Sequence, residues 1–183
     1  MIVLGLDIST TTTAYTLIDT DQPLGQRLVE SKGIHLSKIK DPYAKSCEIR
    51  RVFKNISKKV TVDKIVIEES LQSFRSGLSS ARTLSSLTRF NGIVSFLAQD
   101  IFTAHVERIN VNSARSKIGI KIDRKSDVST KDQVKKWVMS HEDFSLFEWP
   151  TKTLKSGPRK GQTIDDPTCL DIADSAVMAL CVL

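Results

Sequence analysis

Along its first twenty residues the chain is apolar in short runs of strand length. MIVLGLDIS (residues 1–9) predicts a buried strand, and TAYTLID (13–19) repeats the signal after the threonine-rich turn at 10–13, so the two should pair as a hairpin. RLVESKGIHL (27–36) predicts a third, weaker strand. Asp41 followed by Pro42 supplies an N-cap and a first-turn proline. Behind them Ile49, Val52, Phe53, Ile56 and Val60 recur at helical spacing. DKIVIEES (63–70) has the apolar density of a buried strand and ends in acids. A long amphipathic helix is expected from about residue 78 to 101, its apolar positions including Leu84, Leu87, Ile93, Val94, Leu97 and Ile101.

AHVERINV (104–111) predicts the next strand, and residues 115–125 a basic, loop-rich stretch. Ser129 with Asp132 three positions later forms a capping-box pattern that starts another helix. Pro150, Gly157, Pro158 and Gly161 mark residues 141 to about 166 as an extended loop, and Asp166 with Pro167 opens the closing helix. Strands joined through helices need a partly parallel sheet covered on its faces, whereas the opening hairpins supply antiparallel strands. The expected fold class is therefore α/β with a mixed sheet, in one domain spanning 1–183.

Composition narrows the compartment and the partner. No run of 18 uninterrupted apolar residues is present, and Met1 leads straight into a strand pattern, so neither a membrane span nor a secretory leader is expected. Cys47, Cys169 and Cys181 are odd in number and lack CxxC spacing, which disfavours a disulfide framework and a zinc site and fits a reducing, cytoplasmic compartment. Lys and Arg outnumber Asp and Glu by 27 to 21, a net charge of +6, which favours a polyanionic partner.

Four acids interrupt apolar elements: Asp7, Glu68, Asp171 and Asp174. Asp171 and Asp174 are three apart in LDIADSAVMAL, so a helix puts them on one face. Carboxylates gathered in apolar surroundings repel one another and raise each other's pKa unless a cation intervenes, so the set has the chemistry of a metal site. All-oxygen ligands favour Mg²⁺ or Mn²⁺ over zinc. Two such ions about 3.5–4 Å apart can generate a nucleophilic hydroxide and stabilise the leaving oxygen of a phosphodiester. Taken singly each acid has an ordinary explanation, a turn for Asp7 or a solvated face for the helical pair.

IVLGLDISTTTTAYTLID near the start, IVIEES in the middle and LDIADSAVMAL near the end resemble the three acidic motifs of RuvC-like Holliday-junction resolvases of the ribonuclease H-like superfamily. The resemblance covers nearly the whole chain, and KDQVKKWV is similar to the family's basic helix before the closing motif. It implies a five-stranded mixed sheet with helices on both faces, a homodimer, and two Mg²⁺ ions per site held by Asp7, Glu68, Asp171 and Asp174. The implied activity is paired nicking of four-way or other branched DNA. Ala14, Ile8 and Ser9 depart from the glycine and proline that many relatives carry there, and Glu69 beside Glu68 is an alternative ligand should the strand register slip. A small stand-alone resolvase of this kind suits a bacteriophage source, with the host-cell cytoplasm as its compartment.

Between residues 115 and 136 eight basic residues face three acids. Arg115, Lys117, Lys121, Arg124, Lys125, Lys131 and Lys135 are thus candidates for phosphate contacts, which release counterions and give salt-sensitive affinity. The resemblance singles out Lys131. Lys152, Lys155, Arg159 and Lys160 form a second basic stretch. Arg75, Arg82 and Arg89 recur every seven residues and would flank a junction or face water; Phe74 could stack on an unpaired base. The surplus apolar positions of the long helix are assigned to a dimer contact. Three alternatives stand beside the resolvase expectation. They are an enzyme of the same superfamily acting on RNA–DNA hybrids or DNA ends, a non-catalytic branched-DNA binder, and the phosphate-binding half of a sugar-kinase or actin-like ATPase, suggested by DISTTTT.

Overall fold

A computed structural model describes residues 1–69 and 81–183, the side chains of residues 81 and 82 excepted. Phe74 and Arg75 lie outside the described residues, and the Arg82 side chain is likewise not described. β1 (Ile2–Ile8), β2 (Thr12–Asp19) and β3 (Leu28–His35) form the expected antiparallel hairpins, and β4 (Lys64–Glu68) and β5 (His105–Ile109) run parallel to β1. The order across the sheet is β3-β2-β1-β4-β5. Among the described residues no helix is long and apolar enough to cross a membrane.

The pleat of β1 explains why helices cover both faces. Leu4, Leu6 and Ile8 point one way, into a core shared with α1 (Pro42–Ser57) and α2 (Ala81–Phe102). There α1 buries Ile49, Phe53 and Ile56, and Phe53 packs on Phe102 with ring centroids 5.4 Å apart. Its start is fixed as the Asp41-Pro42 pair predicts, with the Asp41 carboxylate accepting from the Ala44 amide at 2.7 Å. Val3 points the other way, into a second core built from α3 (Val111–Lys117), α4 (Thr130–Ser140) and α5 (Thr168–Leu180).

α5 lies directly on the sheet because β1 and β2 leave it room. A methyl at Gly5 would collide with the Ser175 carbonyl and the Ala179 amide, so only glycine permits this approach. One strand over, the buried Thr16 hydroxyl lies 2.8 Å from the Ser175 hydroxyl and 2.7 Å from that of Ser31, tying helix to sheet.

The structure corrects the expected elements in two places. AHVERINV stops being a strand at Ile109, because the Asn110 side chain accepts from the Asn112 amide and caps α3, so Arg115 and Lys117 are helical rather than in a loop. Residues 141–166 are not all loop; they hold a 3₁₀ turn (Glu142–Phe144) and a small hairpin of β6 (Thr151–Thr153) and β7 (Thr163–Asp165). α5 begins at Thr168, and Asp166 still caps it, accepting from the Thr168 amide at 2.9 Å. Ser129 caps α4 as predicted, accepting from the Asp132 amide at 3.1 Å.

Candidate active site

Strand register brings the first two acids together. Leu6 pairs with Ile67 in the parallel β1–β4 ladder, so Asp7 and Glu68 follow in adjacent positions at the carboxyl ends of both strands. Alternation turns them to the face that carries Val3, Gly5 and Val66, which is the face α5 covers. α5 presents Asp171 and Asp174 one turn apart over this spot, Asp174 buried and Asp171 half-buried. Residues from the beginning, middle and end of the chain therefore share one locus.

Their electrostatics record that proximity. Burial raises the Asp7 carboxyl well above the usual 3.8, and Asp174, Asp171 and Glu68 push it further, with Lys131 pulling back. Glu68 is raised by burial and then by Asp174, against Arg115 and Lys131; Asp171 is raised by burial, with Lys131 opposing and Asp174 adding. Glu69, by contrast, is exposed, and its amide serves the sheet by donating to the Ile109 carbonyl at 2.8 Å.

Two basic residues expected on a DNA-facing surface contact the acid cluster, Arg115 enclosed by the protein and the Lys131 side chain 53% exposed. The Arg115 guanidinium reaches Asp174 Oδ1 at 3.3 Å, and Lys131 Nζ lies 3.5 Å from Asp174 Oδ2 and 3.8 Å from Asp171 Oδ1. Burial lowers the Lys131 ammonium's pKa, but Asp174, Asp7 and Asp171 outweigh it and hold the group above its ordinary value. A run of charge in a sequence cannot disclose this, because charge spacing carries no record of which acids the fold brings opposite.

Lys135 is also occupied, bridging α4 to β7 through Asp165 at 2.9 Å. Lys117, Lys121, Arg124 and Lys125 are exposed and form no ion pair among the described residues. Lys117 points toward the far end of α5, beside a hollow of about 610 Å³ lined also by Lys64, Trp137 and Cys181, away from the acids.

Asp7, Glu68, Glu69 and Asp171 line a smaller cleft of about 210 Å³, together with Lys131 and with Leu84, Leu87, Thr88 and Asn91 of α2. Among the described residues no three His, Cys, Asp or Glu side chains converge as a finished coordination cage. The donor set nonetheless fits a hard divalent cation. Four carboxylates face two cations, Lys131 and Arg115, which leaves two negative charges uncompensated when all are ionised, and every donor is an oxygen.

No protein-family model and no curated protein matches the chain. Solved structures do share its fold. RuvC of Thermus thermophilus in complex with a Holliday junction substrate is 15% identical with a TM-score of 0.66, over 99% of this chain and 91% of that one. A second Thermus thermophilus RuvC structure, also 15% identical, gives 0.62 over 99% and 92%. The yeast mitochondrial Holliday junction resolvase Ydc2 is 17% identical with a TM-score of 0.56, over 97% and 75%. The chain thus has the ribonuclease H-like α/β fold in the form that RuvC and other Holliday-junction resolvases take.

Proposed function

We propose that the protein is a Mg²⁺-dependent, structure-selective endonuclease that resolves Holliday junctions and related branched DNA by hydrolysing phosphodiester bonds. The observation that carries this reading is the meeting of Asp7, Glu68, Asp171 and Asp174 at the carboxyl ends of β1 and β4, in a fold shared with resolvases. These four carboxylates would hold the divalent ions, Mg²⁺ or Mn²⁺, which when bound supply an acidified water and positive charge at the leaving oxygen. Arg115 and Lys131 restrain the Asp174 carboxylate between them and add positive charge where a phosphate would enter. Lys121, Arg124 and Lys125 are free to meet the DNA backbone. A homodimer would match the two-fold symmetry of a junction, and Phe96 of α2, 65% exposed, belongs to that contact.

The test is incubation with an immobile four-way junction and Mg²⁺, mapping nicks on all four strands beside an RNA–DNA hybrid and a linear duplex. Paired nicks on the junction are expected. Asp7→Asn, Glu68→Gln, Asp171→Asn and Asp174→Asn should each abolish nicking while junction binding persists. Full activity in all four variants, or cutting confined to the hybrid, would defeat the proposal.

A further inference from the structure

The segment TKTLKSGPRKGQT (151–163) carries four basic residues and no acid, and it is folded. β6 and β7 pair over three positions, and beyond them the Leu154 amide donates to the Gln162 carbonyl and the Gly161 amide to the Leu154 carbonyl, both at 2.9 Å. Gly157 and Gly161 take φ of 82° and 86°, a left-handed backbone that closes the tip tightly. Lys155, Arg159 and Lys160 are exposed on this tip and form no ion pair among the described residues. Like charges confined to a short, ordered tip repel, and a polyanion laid against them removes that cost.

The hairpin is also fixed to the helix that bears two of the site's acids. The Asp166 amide donates to the Pro150 carbonyl at 2.9 Å, the Cys169 thiol reaches the same carbonyl at 3.2 Å, and Lys135 clamps Asp165. Asp171 follows in the first turn of α5. From Pro150 to the tip the chain extends no more than roughly 20 Å at about 3.3 Å per residue, which is about six base pairs of duplex at 3.4 Å each.

We infer that the β6–β7 hairpin is a second phosphate-binding element, in which Lys155, Arg159 and Lys160 grip the backbone of one duplex arm within about half a helical turn of the scissile phosphate. This deepens the proposed function and takes from it branched DNA as the ligand.

The experiment measures junction affinity against salt for the full-length protein in Ca²⁺, comparing a K155Q/R159Q/K160Q variant with a charge-keeping K155R/R159K/K160R variant. Each lost phosphate contact lowers the slope of log affinity on log salt by about 0.9, so the neutral variant should lose about 2 to 3 from the slope and the charge-keeping variant should retain it. Neutral methylphosphonate linkages within about six base pairs of the crossover should weaken the unsubstituted protein and add nothing to the neutral variant. K54Q/K58Q, exposed at the C-terminal end of α1, should leave the slope unchanged. An unchanged slope in the neutral variant overturns the inference, as does an equal loss in both hairpin variants. Paired nicking with an unchanged slope sinks the hairpin alone. A lowered slope in a protein that nicks nothing keeps the hairpin and sinks the nuclease reading.

Discussion

Arg115 and Asp174 lie 59 positions apart in the chain and meet at 3.3 Å, with side chains only 12% and 7% exposed. Removing Arg115 leaves the buried Asp174 carboxylate to Lys131 alone, 3.5 Å away, at a cost of up to about 3 kcal/mol. Arg115→Met should therefore destabilise the metal-free protein by about that amount in urea denaturation. The double variant with Asp174→Asn should lose less than the sum of the two single changes, because the charge that Arg115 offset is gone. Strict additivity would show the contact to be energetically idle.

Gly5 sets the distance between β1 and α5. Gly5→Ala puts a methyl against backbone atoms of Ser175 and Ala179, which cannot rotate aside. A loss of about 3 kcal/mol is expected, at the upper end for an overpacked core. Because the displaced helix carries Asp171 and Asp174, Mg²⁺ affinity should fall in the fraction that remains folded. Calorimetric titration on the purified variant reads both effects.

The site's acids should make the metal-free protein less stable as pH rises. Asp7, Glu68 and Asp171 all titrate above their ordinary values, so between those values and the raised ones the folded chain holds protons that the unfolded chain has released. Stability from these groups therefore falls as pH climbs from about 4 through the raised range. Asp19, Glu48, Glu107 and Asp166 are shifted the opposite way and offset the trend only near and below their ordinary values, so the informative quantity is a difference. Stability of the unsubstituted protein minus that of Asp7→Asn, measured in chelator, should decrease from pH 4 to pH 8.

Divalent cations should reverse that penalty. A ligand that binds only the folded state adds RT ln(1 + [L]/Kd), about 2.7 kcal/mol at a hundredfold excess over Kd. Mg²⁺ should raise Tm at pH 8, raise it less at pH 5 where protons compete, and leave Asp7→Asn nearly unmoved. Equal shifts in both proteins would place the ion elsewhere.

Lys135 is expected to matter little. Its bridge to Asp165 is half open to solvent, and exposed pairs contribute about 0–1 kcal/mol. Lys135→Gln should cost less than about 1 kcal/mol and leave the salt slope of DNA binding intact. A drop in that slope would return Lys135 to the DNA-contact set.

Much of the architecture was legible wherever a local rule and the tertiary structure agreed. The Asp41-Pro42 cap, the Ser129 capping box and the alternation in β1 each report a backbone state that their own side chains enforce. α3 was not legible, because seven residues carry too little periodicity and only Asn110 marks the start. β6 and β7 span three residues apiece, too short for alternation to register. Asp7, Glu68, Asp171 and Asp174 could be picked out because acids interrupt apolar runs. That Arg115 and Lys131 pair with the site's acids was not legible, because nothing in their neighbourhood in the sequence names the carboxylates they face. Gly5 and Thr16 left a fainter signal, a small and a polar residue inside apolar strands, and both prove to seat α5.

The hydroxyls of Thr16, Ser31 and Ser175 act as an indexing pin for α5. A helix held only by aliphatic packing can slip by a residue, and each step would swing its outward groups by about 100°. Here such a slip would break the buried Thr16–Ser175 contact that joins helix to sheet, so the angle at which the two aspartates of α5 meet the strands is held in part by uncharged side chains.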